Sequence, residues 1–140
     1  MNFIKTTPIT VPHCLRIYTL PQVPSFAVVD GMAVITTTEE PTVSEQDVVP
    51  GSLEISDTPD EYGNQTKQYA FRIRGVTPQR TALLDNLRNE WCIIIYHDES
   101  GNNRVAGSRD WPLSFAFHIT NGGYLCTLSG QGTQHDPFLG

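Results

Sequence analysis

The sequence predicts a mainly β protein of the α+β class: a β-sandwich or roll that carries a single α-helix, an extended N-terminal arm and loops. Charged residues make up only 17% of the chain, where about 25% is typical. Several short segments alternate apolar and polar residues with a period of two, the pattern of half-buried strands. Only one segment has the spacing of an amphipathic helix. Because 140 residues is the usual size of one domain, we expect a single domain spanning 1–140.

The first fifty residues are predicted to be mostly extended. Residues 1–24 contain several prolines, which interrupt regular strand pairing, so we expect an extended arm with short β pieces there. Residues 25–38 are typical of two short strands that meet at Asp30-Gly31, a favourable pair for a hairpin turn. Residues 39–50 are acidic and poor in apolar side chains, which predicts an exposed loop or a partner-binding segment.

The core of the sandwich is predicted in residues 51–140. Leu53 and Ile55 alternate with polar neighbours, and the segment 69–73 does the same, which indicates strands with one buried face. The polar segment 57–68 between them contains Pro59 and a glycine. It therefore predicts a long protruding hairpin tip.

The helix is predicted over residues 78–89. Thr77 is a suitable N-cap, and Pro78 fits the first helical position. We expect one face of this helix to pack on the sheet, with Leu83, Leu84, Leu87 and Trp91 lying against Phe71, Ile73, Phe115 and Phe117.

Four strands are predicted after the helix, over 91–97, 104–107, 113–120 and 124–129. The tail then ends in a short apolar hook, Phe138-Leu139. We expect this hook to pack either on its own domain or on a neighbouring molecule.

No pattern of catalytic, metal-ligating or cofactor-binding residues stands out. The three cysteines are odd in number and lack Cys-x-x-Cys spacing, so we expect neither a disulfide framework nor zinc. His97 and His118 are the histidines that an enzyme would use, but they have no local ligand or triad spacing. The longest apolar run, 91–96, is far too short for a membrane span. The net charge of −6 argues against specific nucleic-acid binding. We expect no cofactor, no signal peptide and no membrane partner.

Acidic and basic residues are segregated along the chain. The segment 39–61 contains many acidic residues, and most of the basic residues follow between 67 and 109. Complementary patches on different parts of one surface favour head-to-tail assembly, although folding could equally bring the two regions together within one chain. The predicted subunit interface consists of Glu39, Glu40, Glu45, Asp47, Asp60, Glu61, Arg72, Arg74, Arg80, Arg88, Arg104, Phe138 and Leu139. Most of the apolar burial is expected from the hook and from the arm at 3–9.

Residues 67–140 resemble small virion proteins of tailed bacteriophages. The resemblance is carried by YAFRIRG at 69–75, IIIYHDESGNNRVAGSRDWPLSF at 93–115 and NGGYLCTLSGQGTQHDPFLG at 121–140. The order of strands, one helix and further strands is also similar to that of tail-tube subunits. The resemblance implies a tail, neck or baseplate component that is located in the virion, and in the host cytoplasm during assembly. Its implied partners are copies of itself, in a ring or helical stack, and other virion proteins.

Two interpretations of function therefore compete. The first is a non-enzymatic virion structural subunit that self-assembles or docks in a phage tail or neck. The alternative is a monomeric β-sandwich binding module that recognises a ligand through the loops 57–68 and 98–103. An enzyme that uses His97 or His118 is the third and weakest interpretation, because the motif search finds no support for it.

Overall fold

A computed structural model describes residues 6–59, 61–62, 64–132 and 135–140 and shows a mainly β protein with one α-helix. The helix α1 spans Pro78–Leu87, and a short 3₁₀ turn covers Leu20–Gln22. The described strands are β1 (Leu15–Thr19), β2 (Ser25–Val29), β3 (Met32–Thr36), β4 (Glu54–Pro59), β5 (Gln65–Arg74), β6 (Trp91–His97), β7 (Asn103–Ala106), β8 (Leu113–Thr120), β9 (Gly123–Gly132) and β10 (Phe138–Leu139).

The described strands form one continuous, strongly bent sheet. Its order is β2-β3-β10-β7-β6-β8-β9-β5-β4, and β1 pairs with β6 outside this path. The first two residues of β6 pair with β8 and its later residues with β7, so the sheet turns at β6. The rings of Tyr69 in β5 and Tyr96 in β6 lie 5.5 Å apart, although β8 and β9 separate their strands in the sheet order. The sheet therefore folds over on itself, and the predicted mainly β class with one helix is confirmed.

The predicted arm over 1–24 contains one short strand in its described part, and this strand packs into the core of the protein. Residues 15–19 form β1, which pairs antiparallel along β6. Leu15, Ile17 and Val23 are fully buried, and Ile9 is nearly so. The four-residue run 15–18 is buried on both faces, and a strand that is covered on both sides has no alternation by which it could be recognised. The core consequently includes residues that precede the predicted boundary at 51.

The predicted hairpin over 25–38 is confirmed as β2 and β3. Val29 pairs with Met32 across Asp30-Gly31, and both turn residues have positive φ, at 53° and 77°. This is the backbone conformation that a two-residue hairpin turn requires.

The acidic segment 39–50 is not the exposed loop that its composition predicts. Val43 and Val48 are buried, and they form isolated bridges with Ile17 and Ile73 respectively. These two valines are spaced by five residues, so the segment shows no period of two or of 3.6. The segment lies against its own chain at both points.

The hairpin of β4 and β5 is confirmed, but its tip is shorter than the predicted 57–68. The two strands remain paired as far as Pro59 and Gln65. Charged and polar residues in this region occupy exposed strand positions, and composition alone does not distinguish those from a loop.

The helix begins at Pro78 as predicted, with the side chain of Thr77 accepting a hydrogen bond from the backbone N–H of Arg80. It ends at Leu87, two residues before the predicted end. Leu84 and Leu87 are buried, whereas Leu83 and Trp91 are exposed, so the predicted four-residue apolar face is wrong in half of its members. Trp91 is outside the helix and begins β6, where its side chain is exposed on the strand.

The predicted strands after the helix are all present, within a few residues of their expected ends. The tail hook forms β10, which lies between β3 and β7 of its own chain. The backbone of the hook therefore packs on its own domain, one of the two expected alternatives, while the side chain of Phe138 remains 40% exposed.

Candidate functional site

A groove of about 280 Å³ lies beside the hairpin of β2 and β3. Apolar side chains of β2, β7 and the loop before β8 form its walls, with Trp111 exposed. A polar cluster of β5 and the C-terminal tail lies at one side. The lining comprises Phe26, Val28, Lys67, Tyr69, Val105, Gly107, Ser108, Trp111, Leu113, Gly130, Gln131, Gly132, His135, Asp136 and Pro137.

The polar cluster is centred on Asp136. The ammonium of Lys67 lies 3.0 Å from Oδ1 of Asp136, and the two side chains are only 11% and 12% exposed. The hydroxyls of Tyr69 and Tyr96 donate to Oδ2 at 2.6 and 2.7 Å. Arg104 donates to the backbone carbonyl of Asp136 at 2.9 Å. The cluster therefore attaches the tail to both β5 and β6.

Burial raises the pKa of both Tyr69 and Tyr96, and the negative charge of Asp136 raises the two pKa values further. Both hydroxyls consequently stay protonated and keep donating to the carboxylate. Lys67 and the two tyrosines supply hydrogen-bond donors for both oxygens of Asp136, so the cluster has the character of a satisfied structural network. An acid–base catalyst needs a group that is free to exchange its proton with substrate, and the described geometry supports no such assignment for Asp136.

The predicted acidic interface residues are divided between intramolecular partners and solvent. Glu45 forms a two-pronged ion pair with Arg16, at 3.0 and 3.1 Å. Asp47 accepts hydrogen bonds from Ser44 and lies 3.7 Å from Arg80. The remaining described members, Glu39, Glu40 and Glu61, are exposed, and Glu39 also accepts a hydrogen bond from the side-chain amide of Gln22 at 3.2 Å. The prediction at Asp60 lies outside the described residues.

Among the predicted basic residues, three already have intramolecular partners. Arg80 donates to the carbonyls of Arg74 and Gly75. Arg88 pairs with Asp85 at 3.3 Å and lies over the ring of Phe117.

Arg104 pairs with Asp98 at 3.0 Å and stacks on Phe138, with its guanidinium carbon 4.1 Å from the ring centroid. Burial works to raise the pKa of Asp98, but hydrogen bonds from Asn102, Arg104 and Ser100 outweigh it, and the pKa lies below its usual value. Arg72 and Arg74 occupy exposed positions on β5. The predicted charge pairing between copies is thus replaced within the chain at Glu45, Asp47, Arg80 and Arg104.

An exposed apolar surface lies on the hairpin of β2 and β3, where sequence analysis proposed no contact. Cross-strand partners point to the same side of a sheet, so Ala27 with Val34, and Val29 with Met32, share one face. Val29 is 57%, Val34 51% and Met32 44% exposed. Phe138 pairs with Met32 and continues this face onto β10, where Leu139 points to the opposite side and is partly buried. We call Ala27, Val29, Met32, Val34 and Phe138 the hairpin outer face.

Sequence reasoning missed the Asp136 cluster, although one signal for it was present. Lys67 shares the alternation phase of Tyr69, Phe71 and Ile73, which are buried. A lysine at a core position needs an anionic partner, because an isolated buried charge is costly. The identity of that partner, Asp136, lies sixty-nine residues away and leaves no local pattern.

The cysteines and the search for other sites add no chemistry. Cys14, Cys92 and Cys126 are buried free thiols, and burial raises the pKa of Cys14 to about 11 and that of the other two to about 12. Such thiols are poor nucleophiles. Within the described residues, no cluster of histidine, cysteine or acidic side chains is placed to hold a metal. In that same part of the chain, no helix has the length and apolarity needed to cross a membrane.

Comparison with protein-family models, with curated proteins and with solved structures finds no match to this chain.

Proposed function

We propose that this chain is a non-enzymatic structural subunit of a tailed-phage virion, which acts by assembling with copies of itself and with other virion proteins in a tail or neck. The observation that carries the proposal is the hairpin outer face, a cluster of exposed apolar side chains next to an edge strand without charge. The resemblance of residues 67–140 to small virion proteins supplies the biological setting.

The hairpin outer face suits association better than solvation. Its members are contiguous on three neighbouring strands, and they include none of the Lys or Glu side chains that usually keep strand surfaces apart. Contiguous apolar surface of this kind is typical of interaction sites. Several charged residues of the predicted interface pair within their own chain. We therefore expect the interface between copies to depend on apolar contact more than on charge pairing.

The same geometry disfavours the catalytic interpretation. In the concave groove, Lys67 and Asp136 are paired with each other, and His97 and His118, the histidines named for an enzyme, do not line it. An assembly role needs no reactive group, so nothing further is required of the site.

The decisive experiment is quantitative mass spectrometry of particles purified from cells in which the chain is encoded. The proposal expects the chain in the particles at a fixed stoichiometry to the major virion proteins. A Val29→Lys/Met32→Lys variant, supplied in place of the wild type, should fold but be incorporated at least tenfold less. The variant Glu54→Lys, which places a lysine on the opposite, already charged edge, is the matched control and should be incorporated normally. Absence of the wild-type chain from the particles would contradict the proposal.

The groove favours one second candidate, a monomeric binding module. Its exposed Trp111 and its apolar walls would suit a small ligand. The loop 98–103, by contrast, is closed on itself, since Asp98 accepts hydrogen bonds from the backbone N–H groups of Ser100 and Asn102. Light scattering separates the two candidates, because the binding module stays monomeric at all concentrations.

A further inference from the structure

The strand β2 is an unprotected sheet edge. It lies at one end of the sheet order and pairs only with β3. No residue between Ser25 and Val29 is charged or a proline. The opposite edge, β4, contains Glu54, Asp57 and Pro59, the residue types with which proteins block edge-to-edge pairing. The two ends of the sheet are therefore not equivalent, and only β2 is open to a further strand.

The turn geometry defines which backbone groups of β2 are unused. Val29 and Met32 flank the two-residue turn, and this flanking pair is hydrogen-bonded in such hairpins. Because the direction alternates along an antiparallel strand, Ala27 also faces β3, whereas the N–H and C=O groups of Phe26 and Val28 face away from it. In the described part of the chain, no hydrogen bond from outside the strands reaches these groups.

We propose that β2 pairs antiparallel with β2 of a second copy of this chain, about a two-fold axis that passes beside Ala27. In this register Phe26 of each copy lies opposite Val28 of the other. Every outward N–H and C=O of these two residues then meets a partner. This inference deepens the proposed function and rests on it, since it names the copy and the strand through which the subunit associates.

Shifting the register of the two β2 strands in either direction would lose backbone hydrogen bonds. A shift that places Val28 opposite Pro24 loses a donor, because proline has no N–H. A shift the other way places Phe26 opposite Asp30, whose φ of 53° is not extended. The strand sequence thus selects the register centred on Ala27.

Charge complementarity identifies a second copy as the occupant. In the proposed register Asp30 lies opposite Pro24 of the other copy, next to Val23. The carbonyl of Val23 accepts a hydrogen bond from Arg109 at 2.6 Å, so this exposed arginine lies at that end of the strand. Asp30 of each copy therefore approaches Arg109 of the other, and the two-fold axis makes the contact twice. The hairpin outer faces of the two copies also become continuous across the new strand pair.

The first test is a disulfide at the axis. Ala27 faces its own counterpart in a non-hydrogen-bonded pair, where Cα atoms lie about 4.5 Å apart, within disulfide range. Ala27→Cys should form a covalent dimer under mild oxidation. Val34→Cys, which lies on the same exposed face but one strand further in, is the matched control and should not.

The second test uses proline at each edge. Val28→Pro removes one outward N–H and should weaken dimerisation at least tenfold in sedimentation velocity, with little change in thermal unfolding. Ile55→Pro is the matched control on β4. The N–H of Ile55 also faces away from the sheet. Leu53, two residues earlier, donates its N–H to the carbonyl of His13 and not to β5. Pro59, four residues later, has no N–H and therefore occupies a position whose N–H would point outward. Asp30→Asn keeps the turn and should weaken the dimer about threefold, by an amount that shrinks with added salt.

A wild-type chain that is still monomeric at about 100 μM would overturn the inference, because this concentration is well above the dissociation constant expected even for a small interface. So would equal behaviour of the Val28→Pro and Ile55→Pro variants, or cross-linking of Val34→Cys as fast as that of Ala27→Cys. These outcomes are separate from the virion test. A chain found in particles but monomeric alone would refute the β2 dimer and leave the structural role supported, whereas a β2 dimer absent from particles would refute the role alone.

Discussion

At the scale of single residues, the Asp136 cluster joins the C-terminal tail to β5 and β6 through side-chain contacts. It contains a nearly buried ion pair. The presence of such a pair says little about stability, but the removal of one partner usually lowers the free energy of unfolding strongly. Removing the carboxylate takes from the nearly buried ammonium of Lys67 the ion pair with Asp136, which offsets part of its desolvation. The tail would also lose its hydrogen bonds from Tyr69 and Tyr96.

We therefore expect Asp136→Ala to lower the free energy of unfolding by about 3 kcal/mol, measured by urea denaturation. Asp85→Ala is the matched control, because Asp85 forms an exposed ion pair with Arg88 on the helix surface. That change should cost less than about 0.5 kcal/mol. Equal effects of the two variants would show that the cluster is no more important than a surface pair.

The tyrosines of this cluster give a prediction for alkaline pH. The pKa values of Tyr69 and Tyr96 are raised in the folded chain, first by burial and then by Asp136. The stabilisation is therefore complete below the unfolded tyrosine pKa of about 10, and it declines as the pH rises from there toward the folded values. Each tyrosine contributes a slope of about 1.4 kcal/mol per pH unit in this window.

Tyr69→Phe should accordingly flatten the fall in stability between about pH 10 and pH 11, and Tyr69→Phe/Tyr96→Phe should flatten it further. The measurement is the free energy of unfolding in urea at each pH. Parallel curves for the wild type and both variants would show that the hydroxyls do not retain their protons in the folded state.

How far the sequence predicts this site depends on the residue. The phase of Lys67 within an alternating strand indicates a buried cation, and that inference needs no structure. Arg16 gives no such signal, because β1 is buried on both faces and its neighbours are apolar throughout. Asp136 lies in a tail with no periodic pattern, so its pairing with β5 and β6 follows only from the path of the folded chain.

At the scale of elements, the helix shows both the strength and the limit of pattern reasoning. The N-cap and the first proline define its start through local hydrogen bonding, which sequence describes well. The choice among neighbouring leucines depends on how the helix rotates on the sheet, which is a tertiary matter. Contacts to the sheet settle this rotation: Thr81 lies 2.6 Å from the hydroxyl of Tyr124, and Arg88 lies over Phe117.

The two faces of this helix can be compared directly. Leu87 is 1% exposed and Leu83 is 39% exposed. We expect Leu87→Ala to cost about 2–5 kcal/mol of unfolding free energy, because it leaves a cavity in the core. Leu83→Ala in the same helix should cost less than about 1 kcal/mol, since most of the leucine already contacts solvent. Similar costs measured by thermal or urea unfolding would mean that the helix is rotated from the orientation described.

Strands that are buried on both sides account for the largest element-scale errors. The long apolar run of β6 predicts a strand, whereas β1 is short and its apolar residues are interrupted by Arg16 and Tyr18. The valines of the acidic segment are single buried anchors in a polar context. Composition describes the average polarity of the segment 39–50, whereas its packing depends on the two buried side chains of Val43 and Val48.

At the scale of the whole molecule, the shortest of the described strands joins two parts of the sheet. β10 contains only Phe138 and Leu139, yet it is the connection between β3 and β7 in the sheet order. Its backbone pairs with both neighbours: Phe138 donates to Gly31, Gly140 donates to Ala33, and Val105 donates to Pro137. The hairpin of β2 and β3, and with it the surface proposed for assembly, is joined to the rest of the ladder through this strand.

Truncation after Asp136 should therefore release the hairpin without unfolding the layer formed by β5, β8 and β9. Hydrogen exchange followed by mass spectrometry should show at least tenfold faster exchange in residues 25–36, with little change in 65–74 and 123–132, because those strands pair with each other over their whole length. Phe138→Ala is the control that removes the ring and keeps the backbone, and it should leave most of the protection in 25–36 intact. If the truncated chain instead exchanged faster everywhere, β10 would belong to the global cooperative unit. Unchanged exchange in the hairpin would show that side-chain packing holds it in place without the strand.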